Sequence, residues 1–388
     1  MISVEQAFKI IDTIQPLETV EIALVDALHY TLAEDVLSPI NMPPFHQSAM
    51  DGYAVNGNNN SFALVGEIQA GMDASSIILK EGEAIRIFTG AMVPKGTTTV
   101  IRQEIVSKHE SSISINQEFG ENENIRLIGE QIKQGDLATK KGTQITAGVL
   151  GFLIGLGIEN VIVYRKPKIA VIATGNELVS TGEKLTPGKI YESNSYMIQA
   201  ALKSIGFEAT IHKVKDDFNA TKKLFSQLIT ENDLLIAAGG ISVGDYDFVG
   251  KALEELNTET LFYKVKQKPG KPLYLGKNGE TSIFGLPGNP GAALSCFYIY
   301  VSIALAQLTG RKLPFVTPKT AKLAHNYAKP AGLTQFLKAK LTGDNVQILS
   351  HQSSAMLNVY TDTNCIARLE EKDTNWKEGD EITVYQIP

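Results

Sequence analysis

Residues 232–248 combine a short apolar run with glycines and carboxylates, which is the pattern of a strand that ends at a binding site. The run at 234–238 is continuous and apolar, as expected of a parallel strand buried on both faces. Glycines that let the backbone approach a ligand and two aspartates follow it, namely Gly239, Gly240, Gly244, Asp245 and Asp247. A helix is predicted from about residue 248 to 256. An ordinary strand-to-helix turn is the alternative that this stretch alone leaves open.

Five polar or glycine- and proline-rich loops follow predicted strands in the same part of the chain. They lie at residues 174–177, 215–217, 239–247, 266–272 and 285–290. In open α/β sheets, ligands bind outside the carboxyl ends of the strands, so these loops are expected along one edge. One such loop would mean little, whereas five together predict a composite site.

The charges of these loops favour phosphate chemistry assisted by a cation. Two kinds of group here can bind phosphate oxygens. They are the backbone amides at predicted helix starts near Gly240, Gly244 and Gly288, and the ammonium groups of Lys266, Lys268 and Lys271. Four carboxylates would repel phosphate unless a divalent cation lay between them, namely Glu177, Asp216, Asp245 and Asp247. We therefore predict Mg²⁺ as the cofactor and a nucleotide or pyrophosphate reaction. The simpler alternative for each carboxylate, including Asp217, is a solvated turn residue or a helix cap. The simpler alternative for the lysines is a solvated loop.

Other chemistries have weaker support in the sequence. Gly270 and Lys271 are followed by Pro272 instead of Ser or Thr, so a standard P-loop is absent. No Gly-x-Gly-x-x-Gly connects a strand to a helix, which weakens a nicotinamide or flavin hypothesis. The six histidines show no paired metal spacing, and the spacing around Ser242 does not match a nucleophilic serine motif.

The order of apolar patterns predicts an α/β multidomain protein. A helix at residues 4–15 and periodic apolar residues at 20–30 precede short β-rich segments, and helical periodicity returns at 147–157. Strands and helices then alternate, which predicts a doubly wound, mostly parallel sheet with Asn219 as an N-cap. The first predicted unit is a helical or mixed linking domain at residues 1–45 and 133–165, and a β-rich insert at 46–132 interrupts it. The α/β domain is predicted at residues 166–313, and a small C-terminal β-barrel or sandwich at 314–388.

Composition indicates a globular protein that works in a reducing compartment. The 388 residues carry a formal net charge of −6, which argues against non-specific binding to nucleic acid or to a membrane surface. Cys296 and Cys365 are the only cysteines, so neither a disulfide framework nor a Cys-rich zinc site is expected. The first residues lack a basic region followed by an apolar core, and we expect a cytoplasmic location.

Several motifs in a fixed order resemble one known family. They are PFHQSAMDGYA at residues 44–54, RIFTGA at 86–91, KPGKP at 268–272, GLPGNP at 285–290 and HQSS at 351–354. This set is similar to the molybdopterin molybdenumtransferases, the family of MoeA and of the E domain of gephyrin. The resemblance covers nearly the whole chain, and its ordered motifs are much more specific than any one of them.

The resemblance implies a cytoplasmic, elongated homodimer whose third region resembles the smaller molybdopterin adenylyltransferase. The implied reaction takes adenylylated molybdopterin and molybdate, cleaves the pyrophosphate link with Mg²⁺ or a similar ion, and releases AMP and molybdenum cofactor. The adenylyltransferase and the apoproteins of molybdenum enzymes are the further partners that it implies. Neither nucleic acid nor a membrane is expected as a partner.

The resemblance also implies roles for individual residues. Glu177, Asp216 and Asp247 would be metal and catalytic carboxylates, and Asp51 a catalytic residue that reaches the neighbouring subunit's site. Lys268 and Lys271 would bind phosphate or molybdate. The remaining implied substrate-binding residues are Thr174, Gly175, Asn194, Gly239, Gly240, Ser242, Gly244, Lys266, Pro287, Gly288, Asn289, Pro290 and Ser353.

The sequence departs from the family pattern at three positions. Gln131 stands where an Asp is usual, and Glu192 and Asn176 also replace aspartates. The loss of a carboxylate at Gln131 raises the alternative of a tungstate-preferring paralogue. A scaffold or binding protein of the gephyrin type is a second alternative, but a scaffold has no need of clustered carboxylates.

Overall fold

The computed structural model describes residues 1–239 and 248–388. Within them, the chain forms a linking unit, a β-rich insert, an α/β unit and a closed barrel. This arrangement confirms the predicted α/β multidomain fold class.

The linking unit is built from two distant segments around the insert. Its core joins apolar residues of both segments, among them Leu24, Leu32, Leu153 and Val163. Its elements are the strands Thr19–Ala23, Thr31–Leu32, Val36–Leu37, Leu137–Thr139 and Asn160–Tyr164 and a helix, α2, at Ala147–Gly155. Helix α1, at Val4–Ile11, precedes this unit in the chain but packs elsewhere.

Helix α1 is shorter than predicted and belongs by packing to the α/β unit. Ser3 caps it through a capping box with Gln6, and Asp12 ends it. Its buried residues Val4, Ala7 and Ile11 lie in the main core of the α/β unit. The predicted helix at 4–15 therefore stops at Ile11, and the periodic run that begins near residue 20 is instead the strand Thr19–Ala23, because it pairs with Asn160–Tyr164.

The insert is an all-β unit, as its turn-rich sequence predicts. Its six-stranded sheet has the order Thr99–Arg102, Gly52–Val55, Glu83–Ile87, Ser61–Ile68, Ser112–Ile115 and Val106–Lys108. A short ladder between Gln47–Ser48 and Ile125–Arg126 closes the connection to the linking unit.

The α/β unit contains a six-stranded sheet that is mostly parallel. Its order is Thr210–Val214, Ile169–Thr174, Leu234–Ala238, Thr281–Leu286, Tyr274–Asn278 and Glu259–Tyr263. The first four strands pair in parallel, and the last two join through antiparallel ladders. Every residue of Leu234–Ala238 is buried, as predicted for a central strand.

Helices cover both faces of this sheet. Alternate residues of each central strand point to opposite faces, so Val171 and Ile236 lie in one core and Ile172 and Leu235 in the other. The helices are α3 at Asn194–Ser204, α4 at Phe218–Glu231, α5 at Phe248–Glu255, α6 at Pro290–Cys296 and α7 at Ser302–Leu308. The predicted cap of α4 was wrong: the side chain of Asp217, not Asn219, accepts the hydrogen bond from Ala220 N, because the helix begins at Phe218, two residues earlier than a cap at Asn219 requires.

Helices α6 and α7 are joined by the π-helical turn Phe297–Val301 into one continuous apolar helix, Pro290–Leu308. In the described part of the chain it is the one helix whose length and composition would suit a membrane. Because 89% of that apolar window is buried against the protein, it reads as the core helix of the α/β unit.

The C-terminal unit is a closed five-stranded barrel. Its strands, in order around the barrel, are Thr334–Thr342, Asn345–Ile348, Pro318–Leu323, Glu381–Gln386 and Cys365–Leu369, and the last pairs again with the first. The short strand Gln267–Lys268 of the α/β unit adds in parallel to Thr334 and Gln335. The barrel is therefore attached directly beside the lysine-bearing loop.

Candidate functional site

Two cavities lie at the carboxyl edge of the α/β sheet. The larger has a volume of about 940 Å³ and is lined by Lys268 and Lys271, and we call it the lysine cavity. The smaller, of about 170 Å³, is lined by Glu177, and we call it the carboxylate cavity. Both are lined by Gly288, so the predicted basic and acidic loops lie on either side of one glycine.

The lysine cavity is formed between the α/β unit and the barrel. Pro287 and Asn289 line it from the loop before α6, and Ser353 lines it from the barrel. Lys268 and Lys271 are exposed, and their ammonium groups have no hydrogen-bond or ion-pair partner within residues 1–239 and 248–388. The cavity can therefore present two cations to an anionic ligand.

A serine of the barrel fixes the start of α6 against this cavity. Asn289 Nδ2 donates to Ser354 Oγ at 2.9 Å, and the backbone N–H of Gly291 donates to Ser354 O at 2.8 Å. A Cβ at Gly291 would approach Ser354 O to 2.9 Å, so the close contact requires glycine. Pro290 occupies the first turn of α6, where its missing N–H costs nothing.

The carboxylate cavity is organised by the start of α3. Asn194 Nδ2 donates to Gly288 O at 2.8 Å and so joins α3 to the glycine shared by both cavities. Glu192, only 3% exposed, accepts hydrogen bonds from Ser195 N at 2.8 Å and Ser195 Oγ at 2.6 Å. The longer acid at Glu192 therefore caps the start of α3, because it satisfies a first-turn backbone N–H that would otherwise be unpaired.

One hydroxyl in the carboxylate cavity is available to a ligand. Thr174 is 8% exposed, and its buried Oγ1 has no hydrogen-bond partner within residues 1–239 and 248–388. Buried polar groups are normally paired, so an orphan hydroxyl that lines a cavity fits a bound polar ligand. Gly239, which also lines this cavity, has φ of 120° and lies beside Gly288.

The two described acidic loops meet through Asn176. Its backbone N–H donates to Asp216 Oδ2 at 2.9 Å, and Asp216 N donates to Asn176 Oδ1 at 3.2 Å. This reciprocal pair places Asp216 next to the loop that carries Glu177. Neither the Glu177 carboxylate nor Asp216 Oδ1 has a partner among the described residues. In that same part of the chain, no three His, Cys, Asp or Glu side chains cluster closely enough to hold a metal by themselves.

Asp51 lies on the insert and lines neither cavity of its own chain. Its Oδ1 accepts hydrogen bonds from Thr89 N at 2.8 Å and Thr89 Oγ1 at 2.9 Å. These hydrogen bonds from Thr89 hold the pKa of the exposed Asp51 carboxyl below its usual value. The carboxylate is thus ionised and held in one orientation.

Other predicted site residues have different surroundings. Lys266 faces the barrel, with its Nζ 3.5 Å from Glu371 Oε1, and lines neither cavity. Gly175, with φ of 146°, sits so close to the Glu177 carboxylate that a Cβ would be 2.7 Å from its oxygens. Gln131 is exposed and also lines neither cavity. Four of the predicted site residues lie outside the described residues, namely Gly240, Ser242, Gly244 and Asp247. Asp245 lies outside them as well.

Some residues that shape the site were not predicted from the sequence. Ser354, adjacent to the predicted Ser353, makes the contacts to the α6 start. Gln267, the buried residue directly before Lys268, accepts a hydrogen bond from the buried Tyr300 hydroxyl. Glutamine is ordinarily exposed, so the sequence gives no sign that Gln267 is buried, and nothing in it distinguishes Ser353 from Ser354.

Comparison with known proteins agrees with this organisation. Family models for the MoeA N-terminal region (domain I and II), a probable molybdopterin binding domain and the MoeA C-terminal region (domain IV) match residues 2–157, 170–307 and 320–387. A molybdopterin molybdenumtransferase of Haemophilus influenzae is 35% identical over 380 residues, covering 95% of this chain and 94% of the relative. One from Staphylococcus epidermidis is 35% identical over 352 residues, or 88% and 84% of the two chains.

Solved structures match over the whole length. A molybdopterin biosynthesis MoeA protein from Pyrococcus horikoshii has a TM-score of 0.85 at 26% identity, with full coverage of both chains. A second structure of such a protein has a TM-score of 0.82 at 30% identity and covers 100% of this chain and 99% of the other. The chain therefore belongs to the MoeA family of molybdopterin molybdenumtransferases, enzymes of molybdenum cofactor biosynthesis.

Proposed function

We propose that the chain takes adenylylated molybdopterin and molybdate, cleaves the pyrophosphate link in a Mg²⁺-dependent step, and releases AMP and molybdenum cofactor. The observation that carries this proposal is the junction at Gly288, where a cavity lined by two lysines adjoins one lined by a carboxylate, each side chain being unpaired among the described residues. The larger cavity, at about 940 Å³, lies at the upper end of the range of ligand pockets. It suits a long anionic ligand such as a pterin nucleotide.

The chain's own residues divide the work between the two cavities. Lys268 and Lys271 bind the phosphate or molybdate oxygens as point charges. Thr174 Oγ1, which has no partner in the part of the chain that the structure describes, donates to a ligand oxygen in the carboxylate cavity. Asn194 and Asn289 orient the walls by holding Gly288 and the α6 start.

The carboxylates of Glu177 and Asp216 fit Mg²⁺ if the substrate supplies further oxygen ligands. Glu177 and Asp216 each keep carboxylate oxygen free among the described residues. Mg²⁺ commonly binds through one or two carboxylates together with substrate phosphates and water, so a cluster of three protein acids is not required. The ion would neutralise charge that develops on the cleaved link. Asp247 remains the predicted third acid.

We also propose that the active form is a homodimer in which Asp51 completes the neighbouring subunit's site. Asp51 is exposed, is held by Thr89, and lines neither cavity in its own chain. Helix α2 is apolar around its whole circumference, yet Leu153 is its one buried residue and Ile154 is 43% exposed. An apolar helix that is left uncovered is typical of a subunit contact. The cytoplasmic location and the adenylyltransferase and apoprotein partners remain predictions from the resemblance.

Release of AMP by purified protein tests the proposed reaction. Adenylylated molybdopterin is incubated with the chain, with molybdate and Mg²⁺ supplied together or one at a time, and AMP is quantified by chromatography. We expect rapid AMP release that depends on Mg²⁺ and is lost on chelation. If AMP is not released with all components present, the proposed reaction is wrong.

A further inference from the structure

The lysine loop, residues 267–272, rests on a buried polar network that the proposed chemistry does not use. Gln267 is 1% exposed and begins the loop. Its Nε2 lies 3.1 Å from Pro269 O and 3.1 Å from Gly270 O. One amide group therefore donates to two successive carbonyls, one for each of its N–H bonds, and the loop is folded back over it.

Tyr300 fixes the direction in which this amide points. Its hydroxyl donates to Gln267 Oε1, so the amide nitrogen must face the loop carbonyls. Burial raises the pKa of Tyr300 well above its usual value, and the hydroxyl therefore remains a donor. Tyr300 itself is completely buried, and its ring packs against Phe8 at 5.4 Å and Phe336 at 6.3 Å between ring centres. The network is thus anchored to α1 and to the barrel.

The loop also lies directly on the start of the π-helical turn. Gly270 has φ of 82°, and a Cβ there would overlap Cys296 Sγ. Gln267 Nε2 is 3.5 Å from the same sulfur, which burial keeps protonated by raising the pKa of Cys296 to about 12. The π turn Phe297–Val301 follows at once and carries Tyr300. Such turns are frequent at functional sites, and this one brings its tyrosine under the lysine loop.

We infer that Gln267 and Tyr300 are positioning residues that hold Lys268 and Lys271 at the spacing needed to bind a diphosphate. Tyr300 does not line the lysine cavity. Gln267 does line it, but its side-chain amide is occupied by Pro269 O, Gly270 O and the Tyr300 hydroxyl, so both residues act through the backbone of the loop. The inference deepens the proposed function, on which it rests for the identity of the natural substrate. The recognised group, however, is the diphosphate moiety itself, which can be supplied as inorganic pyrophosphate.

Tyr300→Phe is the test, with Tyr298→Phe as the matched control. Tyr298 lies in the same π turn and is 7% exposed, but its side chain has no hydrogen bond to the lysine loop. We expect the affinity for inorganic pyrophosphate, measured by titration calorimetry, to fall about tenfold in Tyr300→Phe, or about 1.4 kcal/mol. Amide exchange in the peptide spanning 267–272 should rise in the same variant. In Tyr298→Phe we expect affinity and exchange within about twofold of the parent.

A second variant keeps the test independent of damage to the tyrosine's packing. Gln267→Met preserves side-chain length and removes both N–H donors, and the same tenfold loss is expected. Equal affinity in Tyr300→Phe and Tyr298→Phe, or no pyrophosphate binding by the parent chain, would overturn the inference. If the parent binds pyrophosphate through this network but releases no AMP from the pterin nucleotide, the proposed reaction fails and the inference stands.

Discussion

Asp233 shows how one residue joins two units of the fold. Its carboxylate accepts hydrogen bonds from Arg165 Nη1 at 2.6 Å, from Arg165 Nη2 at 2.7 Å and from Lys168 N at 2.7 Å. Burial would raise the pKa of Asp233, but the Arg165 guanidinium and the Lys168 N–H outweigh burial and hold that pKa below its usual value. The paired acid connects the end of the linking unit to the central strand of the α/β sheet.

Asp233→Asn should therefore destabilise the chain in a pH-dependent way. Because the folded pKa lies below the unfolded value of about 3.9, the stabilisation is complete above that pH and is lost as pH falls below it. We expect a loss of about 2–3 kcal/mol in the free energy of unfolding at pH 7, measured with urea, and a smaller difference near pH 3.5. Asp344→Asn, in an exposed barrel turn, is the control and should have little effect. A loss that is equal at both pH values would contradict this explanation.

At the scale of elements, the start of α4 shows a limit of prediction from sequence. Asp217 and Asn219 are both good capping residues, and the sequence alone favoured Asn219. The structure uses Asp217 because burial of Thr221, Phe225 and Leu228 on the sheet sets the register of the helix. That packing joins residues far apart in the chain, so it cannot be read from the local pattern.

Substitution of each candidate cap measures this difference. Asp217→Ala removes the acceptor of the Ala220 N–H, and we expect it to lower the free energy of unfolding by about 1 kcal/mol. Asn219→Ala should change it by less than about 0.5 kcal/mol. Urea denaturation of both variants decides the matter, and a larger loss in Asn219→Ala would contradict the observed cap.

The strand that follows Asp51 requires glycine at its first position. A Cβ on Gly52 would overlap the carbonyl oxygen of Ile101 on the neighbouring strand, whereas one on Gly66 in the same sheet would meet Ile85 at an ordinary 3.6 Å. Gly52→Ala should therefore destabilise the insert by about 1–3 kcal/mol, and Gly66→Ala should be close to neutral. Hydrogen exchange in the insert strands is the measurement. Equal exchange in the two variants would show that the strands can separate without cost.

At the scale of the whole molecule, the order of the structural units along the chain could be predicted from the sequence. The way in which those units come together to form the site could be predicted only in part. Strand ends and charged loops are local patterns, and they predicted that Glu177 and Lys271 lie on one edge of the sheet. The sequence could not show that the two cavities meet at Gly288, because Ser354 of the barrel and Asn194 of α3 fix that loop from distant parts of the chain. Nor could it show that α1 joins the α/β core.

Mixed dimers test whether each site needs two subunits. Asp51→Asn and Glu177→Gln are each expected to abolish activity when pure. If Asp51 serves the neighbouring subunit's Glu177 site, a dimer with one of each variant has one intact site, and an equal mixture should recover about a quarter of parental activity. Glu183→Gln mixed with Glu177→Gln is the control for the effect of mixing alone, since Glu183 lines neither cavity. No recovery in mixtures that sedimentation shows to be mixed dimers would place Asp51 outside the shared site.

The most direct test of the central claim compares two glutamates on one loop. Glu177 lines the carboxylate cavity, whereas Glu183 lines neither cavity and caps a local turn by accepting from Ser180 N at 3.2 Å. The rate of AMP release from adenylylated molybdopterin, measured with saturating Mg²⁺ and molybdate, should fall at least about a hundredfold in Glu177→Gln and stay within about twofold of the parent in Glu183→Gln. Parental AMP release by Glu177→Gln would contradict a reaction at the edge where the two cavities meet.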